Sequence, residues 1–94
     1  MDTFFDLINI VTNFFSIFSK EVTEEKIEKN IDALHKNDWF RDLLANETYH
    51  QMIQHNTDVR YTIGKLNIKK LEKNPADPKF EKAIRRAIRK VEER

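Results

Sequence analysis

The amino-acid sequence predicts an all-α fold, a compact bundle of four or five helices forming one domain over residues 1–94, and three observations predict it. A single glycine and two prolines in 94 residues leave too few turn formers for a β-sandwich or barrel. Apolar side chains recur at spacings of three and four through most of the chain. Helix-start signals, a Thr, Asn or Asp just ahead of a polar or acidic turn, stand at Thr23, Asn37, Asn46 and Asp77.

The first predicted helix covers residues 3–19, where Phe4, Phe5, Leu7, Ile8, Ile10, Val11, Phe14, Phe15, Ile17 and Phe18 leave the polar positions Asp6, Asn9, Thr12, Asn13 and Ser16 on one side. Its apolar arc is wider than the ~100° stripe of an ordinary surface helix, so it calls for partners on more than one side. Five of the seven phenylalanines lie here. They read as core or as a homodimer seam built from Phe4, Leu7, Ile8, Val11, Phe14, Phe15 and Phe18. The acids Asp2 and Asp6, and the lack of a basic n-region or cleavage site, argue against a signal peptide. The polar interruptions fall well short of the ~20 apolar residues that a membrane span needs.

The second helix starts near Glu24, capped by Thr23, with Val22 placed to staple against Ile27. Its apolar stripe is thin, Ile27, Ile31 and Leu34, and Glu21, Glu25, Glu28 and Asp32 form an acidic row at spacings of three and four. Asn37 is the expected cap of a third helix carrying Trp39, Phe40, Leu43 and Leu44. Asn46 either re-caps a continuation through Tyr49, Met52 and Ile53 or lies within one bent helix over residues 38–55.

Residues 59–70 support two readings. As a helix, Val59, Ile63 and Leu66 share a face while Tyr61, Ile68 and Leu71 point elsewhere; as a short β-hairpin turning on Gly64 and Lys65, Ile63 opposes Leu66 and Tyr61 opposes Ile68. The helix is preferred, because an isolated two-stranded ribbon is barely stable and its surroundings are helical. The last helix begins at Pro78 after the cap Asp77, with Phe80, Ala83, Ile84, Ala87, Ile88 and Val91 on one face. Lys82, Arg85, Arg86, Arg89 and Lys90 cover the rest and are the candidate partner-binding residues.

Charge is divided along the chain: residues 1–58 sum to −6 and residues 59–94 to +7. Such a split points either to an anionic partner for the basic half or to the acidic second helix neutralising the basic last one, within a chain or across a dimer. No catalytic constellation is present. One glycine forbids a phosphate-binding loop, no serine sits in a nucleophile elbow, and His50 and His55 are five apart rather than four. Asp32 with His35 and Glu47 with His50 have the acid-to-histidine spacing of di-iron bundles, but that motif uses Glu rather than Asp and needs two further glutamates projecting into a bundle core, and two such matches are unremarkable in a chain this rich in acids, so His35, His50 and His55 are read as unliganded. No metal and no cofactor are expected.

With no cysteine, disulfides and thiolate ligands are excluded, which fits a cytoplasmic location. A winged-helix arrangement would make residues 47–55 the reading helix, yet that segment carries no cation. The expected function is therefore a non-enzymatic protein-protein interaction module: a regulator, inhibitor, antitoxin or immunity-type factor. The alternative is nucleic-acid binding through the basic C-terminal helix.

Overall fold

The computed structural model describes residues 22–94, and over them the chain is helical, with no β-ladder. In chain order the helices are α1 (Glu24–Leu34), α2 (Asp38–Ala45), α3 (Glu47–His55), α4 (Thr57–Lys65), α5 (Ile68–Lys73) and α6 (Pro78–Glu92). The predicted helix over residues 3–19, and with it the homodimer seam, lies outside the described residues.

Six helices from residue 24 onward exceed the four or five expected for the whole chain, and the reason is asparagine. Asn46, Asn56 and Asn67 each leave the helical conformation and accept a hydrogen bond at Oδ1 from the backbone N–H three residues on: Tyr49 at 3.2 Å, Val59 at 3.1 Å and Lys70 at 3.3 Å. Each satisfies an otherwise orphaned donor, so starting a new helix competes well with continuing the old one. Residues 38–55 are thus two helices hinged at Asn46 rather than one bent helix. Thr23 and Asp77 cap α1 and α6 as expected, accepting from Lys26 and Lys79. Asn37 departs from expectation. Its side chain makes no cap bond to α2 and instead donates from Nδ2 to the Leu34 carbonyl at the end of α1.

The hairpin reading of residues 59–70 does not hold. Gly64 lies inside α4 without a positive φ, and the chain resolves its mixed periodicity by stopping one helix at Lys65 and starting another after Asn67. The break rotates the apolar positions back into phase, so that Val59, Ile63 and Leu66 before or at it and Leu71 after it are all buried. Among the described residues, Tyr61 alone of the large apolar side chains stays out, 52% exposed, with Lys65 Nζ 5.1 Å from its ring centre.

α4 is the axle of the described residues. It packs most closely against α1 on one side and α6 on another, and also meets α3. Around it Leu34, Phe40, Leu43, Ile53, Phe80, Ile84 and Ile88 close one continuous apolar core. Gly64 is required where α1 approaches: a Cβ there would lie 2.7 Å from Val22 Cγ1 and 2.8 Å from Ile27 Cγ1, inside van der Waals contact.

Candidate interaction surface

The C-terminal helix is built to hold a charged face outward. Phe80, Ile84 and Ile88 are buried and Ala83, Ala87 and Val91 half-buried, as the sequence predicts. Lys82, Arg85, Arg86, Arg89 and Lys90 are all exposed. At about 100° per residue, Lys82, Arg86 and Arg89 fall near the middle of the exposed arc, with Lys79 and Lys90 beside them. Lys79, also exposed, extends the ridge by a turn and was not among the candidates. It stands in the first turn, where a cation opposes the helix dipole.

The acids of α6 lie at one border. Glu81 accepts from Arg85 Nε at 2.8 Å, one turn apart on the same helix, and Glu92 shares with Arg85 and Arg89 a small notch of about 90 Å³ floored by Leu43, Tyr49 and Ile88. Arg85 is therefore partly engaged within its own helix, Arg86 also has a partner, and Glu93 follows Arg89 by one turn along the same line. Arg94, past the end of α6, bonds Asp58 in the first turn of α4 at 2.6 Å and ties the helix end to the axle.

The acidic row falls elsewhere. Glu25, Glu28 and Asp32 are exposed on α1; Glu21 lies outside the described residues. The cation that reaches α1 is Arg60 of α4, which donates to Glu24 at 2.8 Å and Glu28 at 3.0 Å and, through its other amino group, to the carbonyls of Ile53 and Gln54 at 3.0 and 3.2 Å. Those carbonyls belong to the last turn of α3, so Arg60 joins three helices and caps one of them. Its side chain is only 14% exposed. The hydrogen bond to Glu24, opposed by desolvation and aided by Glu28, holds the guanidinium above its already high ordinary pKa. With α4 between them, α1 and α6 make no close packed interface, so the acidic helix does not lie along the basic one as a neutralising neighbour.

A wider groove of about 570 Å³ runs between the start of α1 and the α3–α4 corner, lined by Val22, Ile27, His55, Arg60 and Tyr61 among others. Of the histidines, His35 sets its ring edge-on to Phe40 with centroids 5.6 Å apart, His50 is half-buried on α3, and His55 is exposed at its end. Among the described residues no three His, Cys, Asp or Glu side chains gather as a metal-binding group, and no helix is long and apolar enough to cross a membrane. Comparison with family models, characterised proteins and solved structures finds no match for this chain.

Proposed function

We propose that this protein is a non-enzymatic interaction module, a small regulator, inhibitor, antitoxin or immunity-type factor, which binds an acidic surface of another protein through the outer ridge of α6. The observation that carries the reading is the exposure of Lys82, Arg85, Arg86, Arg89 and Lys90 on a helix whose opposite face is anchored by buried Phe80, Ile84 and Ile88. A rigidly seated helix presents its cations with little ordering cost on binding, which is what makes a charged face selective rather than merely sticky. The lack of any sequence motif for nucleophilic, metal or phosphate chemistry supports the non-enzymatic part.

The test is capture from a nuclease-treated extract of the host, followed by affinity measurements on the purified partner. Wild-type protein is expected to bind at least tenfold more tightly than the K82A/R86A/R89A variant, at equal melting temperature. Equal affinities would refute the reading.

Nucleic-acid binding is the second reading, favoured by the length of the ridge, roughly 16 Å from Lys79 to Lys90 at 1.5 Å per residue. Binding to random-sequence duplex with a steep loss of affinity as salt rises would support it over the first. We further propose a cytoplasmic location and a homodimer through Phe4, Leu7, Ile8, Val11, Phe14, Phe15 and Phe18. Light scattering at twice the chain mass, persisting at high salt, would support that seam, and a monomer across the micromolar range would oppose it.

A further inference from the structure

The groove between the start of α1 and the α3–α4 corner opens where the described chain begins. Val22 and Ile27 line it on one side and Tyr61 on the other, and Tyr61 is the one large apolar side chain exposed among the described residues. Arg60 bonds Glu24 on the first side and the Ile53 and Gln54 carbonyls on the second, so the two sides are held at a fixed separation before anything enters. Residues 1–21 lie outside the described residues, and they lead directly into Val22, which lines the groove. Their sequence carries more apolar surface than the proposed seam uses. At about 100° per residue, Ile10 and Ile17 fall together on one flank of the predicted helix, about 110° from the centre of the seam residues. Ile17 stands five residues before Val22, so it lies within about 18 Å of the groove's edge however the chain runs between them.

We infer that the groove is the seat of this chain's own N-terminal segment, which lays Ile17 and Ile10 against Val22, Ile27 and Tyr61 and turns the seam face away. The inference rests on the sequence reading of residues 3–19 as a helix and does not require the dimer. Two facts choose this occupant over a second copy or a foreign peptide. The segment is apolar on the flank that a seam leaves in water, and it is tethered at the groove's edge, where a short linker gives an effective concentration on the order of millimolar. A free competitor at micromolar concentration meets a site that is already filled. Seated in this way, the segment covers Tyr61 and carries its remaining apolar face on the folded body, while the α6 ridge stays open for a different partner.

The chain has no cysteine, so a nitroxide attached to Ser16→Cys is a single, site-specific probe in the full-length protein. In isotopically labelled chain carrying that label, the amides of His55, Thr57 and Tyr61 are expected to lose at least half their intensity relative to the reduced label, and those of Lys82, Arg86 and Arg89 to keep theirs. Isotopically labelled wild type mixed with an approximately tenfold excess of unlabelled, nitroxide-bearing chain is expected to keep its groove amides sharp, because the contact is made within one chain. Ile17→Asp, and separately Tyr61→Glu at an exposed position, are each expected to restore at least half of the lost intensity at His55 and Thr57. Groove amides that stay sharp in the singly labelled chain, equal broadening in the mixture, or broadening that survives both substitutions would each overturn the inference. Light scattering of the same samples reads the seam separately, so docking without a dimer and a dimer without docking are distinct results.

Discussion

Asn30, 3% exposed in the middle of α1, donates from Nδ2 to the carbonyl of Ile63 at 2.8 Å, in the last turn of α4. The same amide reaches the Leu66 carbonyl at 3.2 Å and, more distantly, that of Gly64 at 3.4 Å. The final carbonyls of a helix have no partner within it, so a side chain from α1 is finishing α4. This contact, the close approach at Gly64 and the Arg60 bridge together fix α1 to the axle, and that fixes which face of α1 is left outside.

Replacing Asn30 with alanine leaves buried carbonyls short of a donor and is expected to destabilise the protein by about 1–3 kcal/mol in chemical denaturation. Asn30→Asp keeps the shape but turns the donor into a carboxylate facing carbonyl oxygens, and is expected to cost more than the alanine variant near neutral pH. The folded-state pKa of that carboxyl is raised above its unfolded value. Its penalty is therefore full above the folded pKa and shrinks as pH falls toward the unfolded one. A variant as stable as wild type at pH 7 would remove Asn30 from this role.

Arg60→Ala loses two carbonyl bonds and two carboxylate bonds at once. Because Glu24 and Glu28 are 77% and 65% exposed, most of the expected loss of about 1.5–3 kcal/mol comes from the carbonyls. Arg60→Lys keeps the charge without the planar fork and is expected to recover less than half. The raised pKa of Arg60 means that its stabilising contribution is present at every pH below the ordinary guanidinium range and lost only above it, so the difference between wild type and R60A should be flat from pH 6 to pH 9 on the arginine's account. Full rescue by lysine would show that charge alone matters there.

Gly64→Ala separates local propensity from packing. Alanine improves an exposed helix interior by about 1 kcal/mol, whereas the new methyl here must displace Val22 and Ile27, whose contacting atoms are on branched, stiff side chains. Net destabilisation of about 1–2 kcal/mol is expected from overpacking. A rise in melting temperature would mean that α1 yields at this point.

The K82A/R86A/R89A variant is expected to stay within about 0.5 kcal/mol of wild type, because it removes exposed charge and no core atom. Thermal melts at low and high salt check it. A large loss of stability that fades in high salt would assign the ridge to the protein's own electrostatics instead.

Much of the architecture was legible where the local chemistry is strong. Thr23, Asn46 and Asp77 announced their helices, and the period of Phe80, Ile84 and Ile88 predicted which face of α6 is buried. Reading failed where one residue serves two purposes. Asn67 is a cap hidden within an apolar run, so the helix break there left a hairpin open as the alternative to the preferred helix, and Gly64, the turn of that alternative, instead serves a close helix approach through its missing Cβ. Asn30 looked like one more polar residue on a thinly apolar helix, because its acceptors lie 33 residues away or more in the sequence. For the candidate surface, the cations of α6 could be named from spacing alone. That the acidic row of α1 is held apart from them depends on α4, whose position no local pattern encodes.

The central claim, that the outer ridge of α6 is the binding surface, is tested most directly by an amide chemical-shift map of isotopically labelled protein in complex with the partner recovered from nuclease-treated extract. The account predicts perturbations centred on Lys82, Arg86 and Arg89 and fading toward the groove beside Tyr61. Perturbations centred on that groove, with the amides of α6 unmoved, would contradict it.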